Sequence, residues 1–135
     1  MLNKIEHIGI AVKDLDASLK KYEDVLGISA VDTEEIEVEG VINRVAFIPV
    51  KDTNIELVHT TGSSGLVADF LKEKGEGIHH IALEVDNLEK VFLELRNKGV
   101  QFLWNKIIPG SRGSRIAFFK PEEFNGVYIE LIEKH

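Results

Sequence analysis

Two histidines and two glutamates recur at matched places in this sequence. The stretch "EHIGIAVKD" holds His7, and "GEGIHHIALEVDN" holds His79 and His80. The stretches "NIELVH" and "YIELIE" hold Glu56 and Glu130. Neutral imidazoles and ionised carboxylates are donors that proteins offer to divalent cations. Two of each at one point would suit Zn²⁺, Co²⁺, Ni²⁺ or Mn²⁺, and the residues alone do not choose among them. The chain has no cysteine, so thiolate ligands and disulfides are excluded.

The elements that must position these residues read as a duplicated unit. "HIGIAVKDLDASLKKYEDVLGI" aligns with "HIALEVDNLEKVFLELRNKGVQF", which matches His7 to His80, Val12 to Val85 and Leu15 to Leu88. Each copy opens as an apolar strand and passes through Asp14 or Asn87 as a helix N-cap. Each then runs as a helix to Gly27 or Gly99, a residue type that ends helices. "RVAFIPV" resembles "RIAFFKP", and "NIELVH" resembles "YIELIE". Each half therefore reads β-α-β-β-β, with a histidine on its first strand and a glutamate on its last. The fold class is α+β: one domain over 1–135, made of modules at about 1–62 and 76–135. Between them "SSGLVADFLKEKGEG" reads as a short helix with a serine as its cap.

Alternation along a strand assigns the faces. Ile8, Ile10 and Val12 share one face, and His7, Gly9 and Ala11 the other. Ile81, Leu83 and Val85 oppose His80, Ala82 and Glu84. The bulky faces should pack on helices, while the histidine faces carry small neighbours that leave room for an occupant. Ile55, Leu57, Ile129 and Leu131 are packing positions, so Glu56 and Glu130 turn toward the histidines' side. His80 is thus the candidate ligand of the pair. His79 supports the site or the fold from the other face. A lone histidine or glutamate in such a strand is more often a satisfied structural residue, and the repetition of both types is what favours a metal site. His59 reads as a strand-end residue, and Trp104, after the strand "VQFL", as packing.

Composition sets the frame. The 135 residues suffice for one real core, and 44% hydrophobic with 29% charged is ordinary for a globular chain. A net charge of −7 argues against nucleic acid as a main partner. Lys4, Glu6 and His7 interrupt any apolar leader, and no run reaches the length of a membrane span. These features suit a cytoplasmic protein, and a homodimer is the common assembly for such chains. Against the acidic balance, "NKIIPGSRGSRIAFFK" carries Lys106, Arg112, Arg115 and Lys120 and no acid. Its amides and its arginines, Arg112 and Arg115, could cradle phosphate or carboxylate, or the glycines could merely make a turn.

These stretches together resemble the vicinal oxygen chelate superfamily over nearly the whole chain. Within it they are most similar to the methylmalonyl-CoA epimerases. The most specific part is the run from "IELVH" through "FLKEKGEG" into "IHHIALEV". The resemblance implies paired βαβββ modules curving as a half-barrel sheet around one divalent metal ion, with helices outside. His7, Glu56, His80 and Glu130 match the ligand positions, and Glu130 also matches a proton-transfer group. The implied reaction is epimerisation of methylmalonyl-CoA or a related acyl-CoA, through proton removal next to the thioester and a metal-stabilised enediolate. The alternative is glyoxalase I (lactoylglutathione lyase), which isomerises a glutathione hemithioacetal by similar proton chemistry. A metal-free ligand-sequestering module and an iron-dependent ring-cleaving dioxygenase share the architecture. The full set of four ligands in one pair of modules argues against both. Where two-carboxylate epimerases place a second glutamate, this chain offers Asn43 and Arg44, with Glu37 and Glu39 as the nearest acids. Asn43 could hydrogen-bond a substrate carboxylate and Arg44 could pair with one.

Overall fold

A computed structural model describes residues 1–30 and 32–135. The strands are β1 (Leu2–Ala11), β2 (Asp32–Val38), β3 (Val41–Val50), β4 (Thr53–Thr60), β5 (Gly77–Val85), β6 (Ile108–Pro109), β7 (Arg115–Phe118) and β8 (Tyr128–Glu133). The helices are α1 (Leu15–Leu26), α2 (Leu66–Lys74) and α3 (Leu88–Asn97). The chain folds as two compact units: Ile8–His79, and Met1–His7 with His80–His135. Their boundaries fall inside β1 and β5. The compact units are therefore not the two sequence repeats, because the first seven residues join the second half.

In the unit Ile8–His79, β2, β3 and β4 form an antiparallel meander. Its first turn is two residues long, with φ of +48° at Glu39 and +83° at Gly40. That backbone matches the right-handed twist of a tight hairpin. The continuous register of β3 and β4 separates two apolar clusters onto opposite faces. Val12, Leu15, Ala46, Ile48 and Leu57 pack with Ile10, Leu19 and Tyr22. Ala11, Val45, Phe47, Val58 and Val67 pack with Ile36, Phe70 and Leu71. Both helices that flank this meander thus bury an apolar stripe, one against each face.

Asp14 caps α1 as expected, its side chain accepting from the Ala17 N–H at 3.0 Å. The cap of α2 differs from expectation. It is Gly65, with no side-chain hydrogen bond, rather than a serine. Gly65 has φ of +104°, and an added Cβ would sit 3.1 Å from Val41 Cγ2. Only glycine meets both conditions easily.

In the other unit, β5 pairs parallel with β8, and β7 pairs antiparallel with both β8 and β6. Val85, Leu88, Val91, Phe92, Phe102, Ala117, Phe119 and Leu131 form its core, joined by Leu83 and Ile129. The apolar face of α3 covers the bulky face assigned from alternation. Asn87 caps α3 through the Lys90 N–H at 3.1 Å. "VQFL" is not a strand: Phe102 makes one isolated bridge to Phe119. Trp104 then meets Phe118 edge-on, ring centres 5.7 Å apart.

Candidate metal centre

Three of the residues singled out come together in the unit that contains both histidine-bearing strand segments. His7 Nε2 lies 3.0 Å from His80 Nε2. Glu130 Oε2 is 3.6 Å from His7 Nε2, and its Oε1 is 3.7 Å from His80 Nε2. The exposures of His7, His80 and Glu130 are 2%, 5% and 4%. The register explains the meeting. Ala82 on β5 and Phe118 on β7 flank Glu130 on β8, and His80 sits beside Tyr128. The small Ala82 is the β5 residue directly beside Glu130.

Their spacing fits a divalent cation. Metal–nitrogen bonds of about 2.1 Å put adjacent ligands roughly 3.0 Å apart at right angles and roughly 3.4 Å apart in a tetrahedron. The two ring nitrogens 3.0 Å apart, and the two Glu130 oxygens 3.6 and 3.7 Å from one nitrogen each, lie close to those spacings.

Glu56 belongs to the other unit. It is 5% exposed and stands opposite Phe47 in the β3–β4 register. That is the face of Val45 and Val58, away from Leu57, as its alternation implied. Asn43, 7% exposed, stands on the same face opposite Thr60. Its Oδ1 has no hydrogen-bond partner among the described residues. Arg44 alternates to the opposite face, where it reaches toward the exposed Asp16 of α1 at 3.9 Å. It does not stand with Asn43.

The basic loop is largely closed on itself. The Gly110 N–H bonds to the Ser114 carbonyl at 2.9 Å, and the Ser114 N–H to that of Ser111 at 3.1 Å. Those amides are occupied within the turn. Arg112 is exposed with φ of +55°, and Arg115 pairs with Glu133 at 3.5 Å. Lys120 lines a cleft of about 350 Å³ with Gln101, Leu103, Pro121, Glu122 and Tyr128. Tyr128 and Trp104 both meet Phe118, which in turn lies edge-on to the His80 ring at 5.5 Å.

His79 and His59 are held by surroundings away from the His7–His80 meeting. His79 is 4% exposed, and its ring meets Phe70 of α2 edge-on at 5.1 Å. Burial pushes its pKa down to about 4, against the opposing effect of a hydrogen bond with the Leu66 backbone. His59 Nδ1 meets the Val12 carbonyl at 3.2 Å near the end of β4.

One residue escaped the sequence reading. Glu6 is 6% exposed, and its Oε1 lies 2.5 Å from His7 Nδ1. Burial alone would raise its pKa. The hydrogen bond and charge of His7, with Lys134 at 3.4 Å, outweigh burial and hold it at about 2. The available signal was an acidic residue directly before an inward-facing histidine on an otherwise apolar strand.

The chain matches the family model of the glyoxalase/bleomycin resistance protein/dioxygenase superfamily over residues 6–118. It is 35% identical over 135 residues to the ethylmalonyl-CoA/methylmalonyl-CoA epimerase of Cereibacter sphaeroides, covering 97% of this chain and 98% of that one. Its fold superposes on the crystal structure of methylmalonyl-CoA epimerase from Mycobacterium tuberculosis with a TM-score of 0.90. That match has 33% identity and covers 99% of this chain and 89% of the other. It is also 33% identical, with a TM-score of 0.89, to a Streptomyces coelicolor methylmalonyl-CoA epimerase variant in complex with 2-nitronate-propionyl-CoA, covering 99% of this chain and 96% of that one. These relatives are isomerases by name. No helix of this chain, among the described residues, is long and apolar enough to cross a membrane.

Proposed function

The chain belongs to the glyoxalase/bleomycin resistance protein/dioxygenase superfamily, and from that premise we propose that it is a metal-dependent epimerase of methylmalonyl-CoA or a close acyl-CoA relative. The observation that carries the reading is the buried meeting of His7, His80 and Glu130 in a chain one-third identical to enzymes of that name. The proposed ligand set is completed by Glu56, the counterpart of Glu130 in the repeat. Its side chain is buried, like those of both histidines. Two imidazoles and two carboxylates form a donor set that fits Co²⁺, Zn²⁺, Ni²⁺ or Mn²⁺.

A proton beside a thioester is far too weakly acidic for a carboxylate to remove unaided. A bound divalent cation supplies the positive charge that stabilises the developing oxyanion. Glu130 has the proton-transfer role in this reading, because a carboxylate between two ring nitrogens is fixed in place and excluded from water. The Asn43 amide, buried on β3, is assigned to the carboxylate of the acyl group, to which its Nδ2–H would donate. Lys120 and Tyr128 line the cleft into which the coenzyme's tail is assigned. Arg112 is assigned to an anionic part of that tail.

The test is deuterium uptake. Metal-loaded protein is incubated with methylmalonyl-CoA in D₂O, and loss of the α-proton is followed by NMR. Fast exchange that disappears on metal removal and returns on reloading is the expected result. No exchange above the stripped control, with metal confirmed bound, overturns the reading. A glutathione hemithioacetal is then the next substrate to try.

A further inference from the structure

Glu6 faces no substrate and is no ligand in the set above, yet it is among the most buried carboxylates in its unit. It lies next to His7 on β1, where alternation sends neighbouring side chains apart. The contact forms because Nδ1 sits at the root of the imidazole, close to the backbone. A carboxylate on a two-carbon stem can fold back to it while Nε2 points to the site. Oε1 is 2.5 Å from Nδ1, a separation that requires a shared proton. An ionised carboxylate only accepts, so that proton belongs to Nδ1–H. In a neutral ring the other nitrogen then carries the free electron pair. That other nitrogen is the one 3.0 Å from His80 Nε2 and 3.6 Å from Glu130.

The far oxygen of Glu6 is held as well. Lys134 Nζ lies 3.4 Å from Oε2 and 3.9 Å from Glu84 Oε1. Glu84 Oε2 in turn accepts from Asn3 Nδ2 at 3.3 Å. A carboxylate anchored from behind can fix the ring's rotation as well as its tautomer. The equivalent place in the second repeat is taken by His79, which packs on Phe70 instead. The device therefore belongs to one histidine and is not a by-product of duplication.

We propose that Glu6 is a positioning residue for His7, accepting its Nδ1–H to hold Nε2 as the metal-facing nitrogen, with Lys134 steadying the carboxylate. This rests on the metal reading of His7 given above. The test compares wild type with Glu6→Ala, Glu6→Gln and Lys134→Met. The first readout is the ¹⁵N spectrum of the His7 ring in metal-free protein. The second is affinity for Zn²⁺ by competition with a chelator.

Wild type should show a single Nδ1–H form. Glu6→Ala should show mixed tautomers and bind Zn²⁺ on the order of 10- to 100-fold more weakly. Glu6→Gln keeps a carbonyl acceptor and should recover most of both properties, and Lys134→Met should lose about threefold. A single Nδ1–H form in Glu6→Ala, with unchanged Zn²⁺ affinity, overturns the proposal. If Glu6→Ala does not fold, Lys134→Met and Glu6→Gln decide it. Wild-type affinity in Lys134→Met, together with a Glu6→Gln ring free to change tautomer without loss of affinity, overturns it equally. If wild type binds no Zn²⁺, the metal reading fails. The ¹⁵N spectra still show whether Glu6 sets the His7 ring.

Discussion

"EHIGIAV" and "HHIALEV" open the two repeats with the same backbone and a histidine at the same place, but the residue before that histidine differs. Glu6 precedes His7, stays charged although buried, and grips the ring beside it. His79 precedes His80, stays neutral because it is buried, and packs on the Phe70 ring of α2. The repeats share the histidine and the strand that carries it, while the position before it diverged. The sheet faces diverged too. The face that carries Glu56 has Val45, Phe47 and Val58, with Val67, Phe70 and Leu71 of α2 packed on them. Glu130 instead has Phe118 beside it and Tyr128 and Trp104 against Phe118. One repeat spends this face on a core. The other leaves it aromatic, with Tyr128 lining a cleft.

The largest effect should separate the two adjacent histidines. His80→Ala should abolish metal binding, whereas His79→Ala should retain it, with metal content measured by mass spectrometry on folded protein. Equal loss in both would break the assignment of faces. Next comes the contrast between the glutamates. Glu130→Gln should lower turnover about 10²- to 10⁴-fold, as expected for loss of a proton-transfer group. Glu56→Gln should weaken metal affinity but recover much of its turnover at saturating metal. If saturating metal restores Glu130→Gln to near-normal rate, Glu130 is a ligand and nothing more.

Acid should then distinguish the two supporting residues. The folded-state pKa of His79 is lowered from 6.5 to about 4, so the unfolded chain binds the extra proton between those values. Its neutral burial stabilises fully above pH 6.5 and loses about 3 kcal/mol as pH falls to about 4. The folded-state pKa of Glu6 is lowered from 4.5 to about 2. Its contribution is present above pH 4.5 and is lost as pH falls toward 2. Urea unfolding across pH should show the upper window vanish in His79→Gln and the lower one persist. The smallest effect should be symmetrical. Asp14→Ala and Asn87→Ala remove equivalent caps and should each cost about 1 kcal/mol. A several-fold difference between them would mean that the repeats do not use their first helices alike.

What could be read from sequence was whatever depends on period and repetition. Alternation placed His80 inward and Leu83, Val85, Ile129 and Leu131 on the packed face, because one buried face leaves a strand no other register. Caps were legible at Asp14 and Asn87, where a side chain does the capping, and not at Gly65, where Val41 crowds the position. Glu6 was missed because alternation describes where a side chain leaves the backbone and not where a flexible carboxylate comes to rest. The approach of Arg44 to Asp16 could not be read, because the two are distant in sequence. "VQFL" looked like a strand, but only Phe102 finds a bridging partner.

The unit boundaries at His7 and His80 have a consequence for the order of assembly. Residues 8–79 are one continuous piece of chain with both of their own apolar clusters. They can close on themselves while the C-terminal stretch is still being synthesised. The unit that gathers His7, His80 and Glu130 joins the first seven residues to chain made much later, across a separation of 73 residues between the two histidines. Long-range closure of that kind is slow. The nascent chain therefore passes through a stage in which His7 is already made while His80 and Glu130 are not yet in place. If the proposed site takes a metal, capture belongs to the end of folding, where it would lock the finished protein and not guide its early steps.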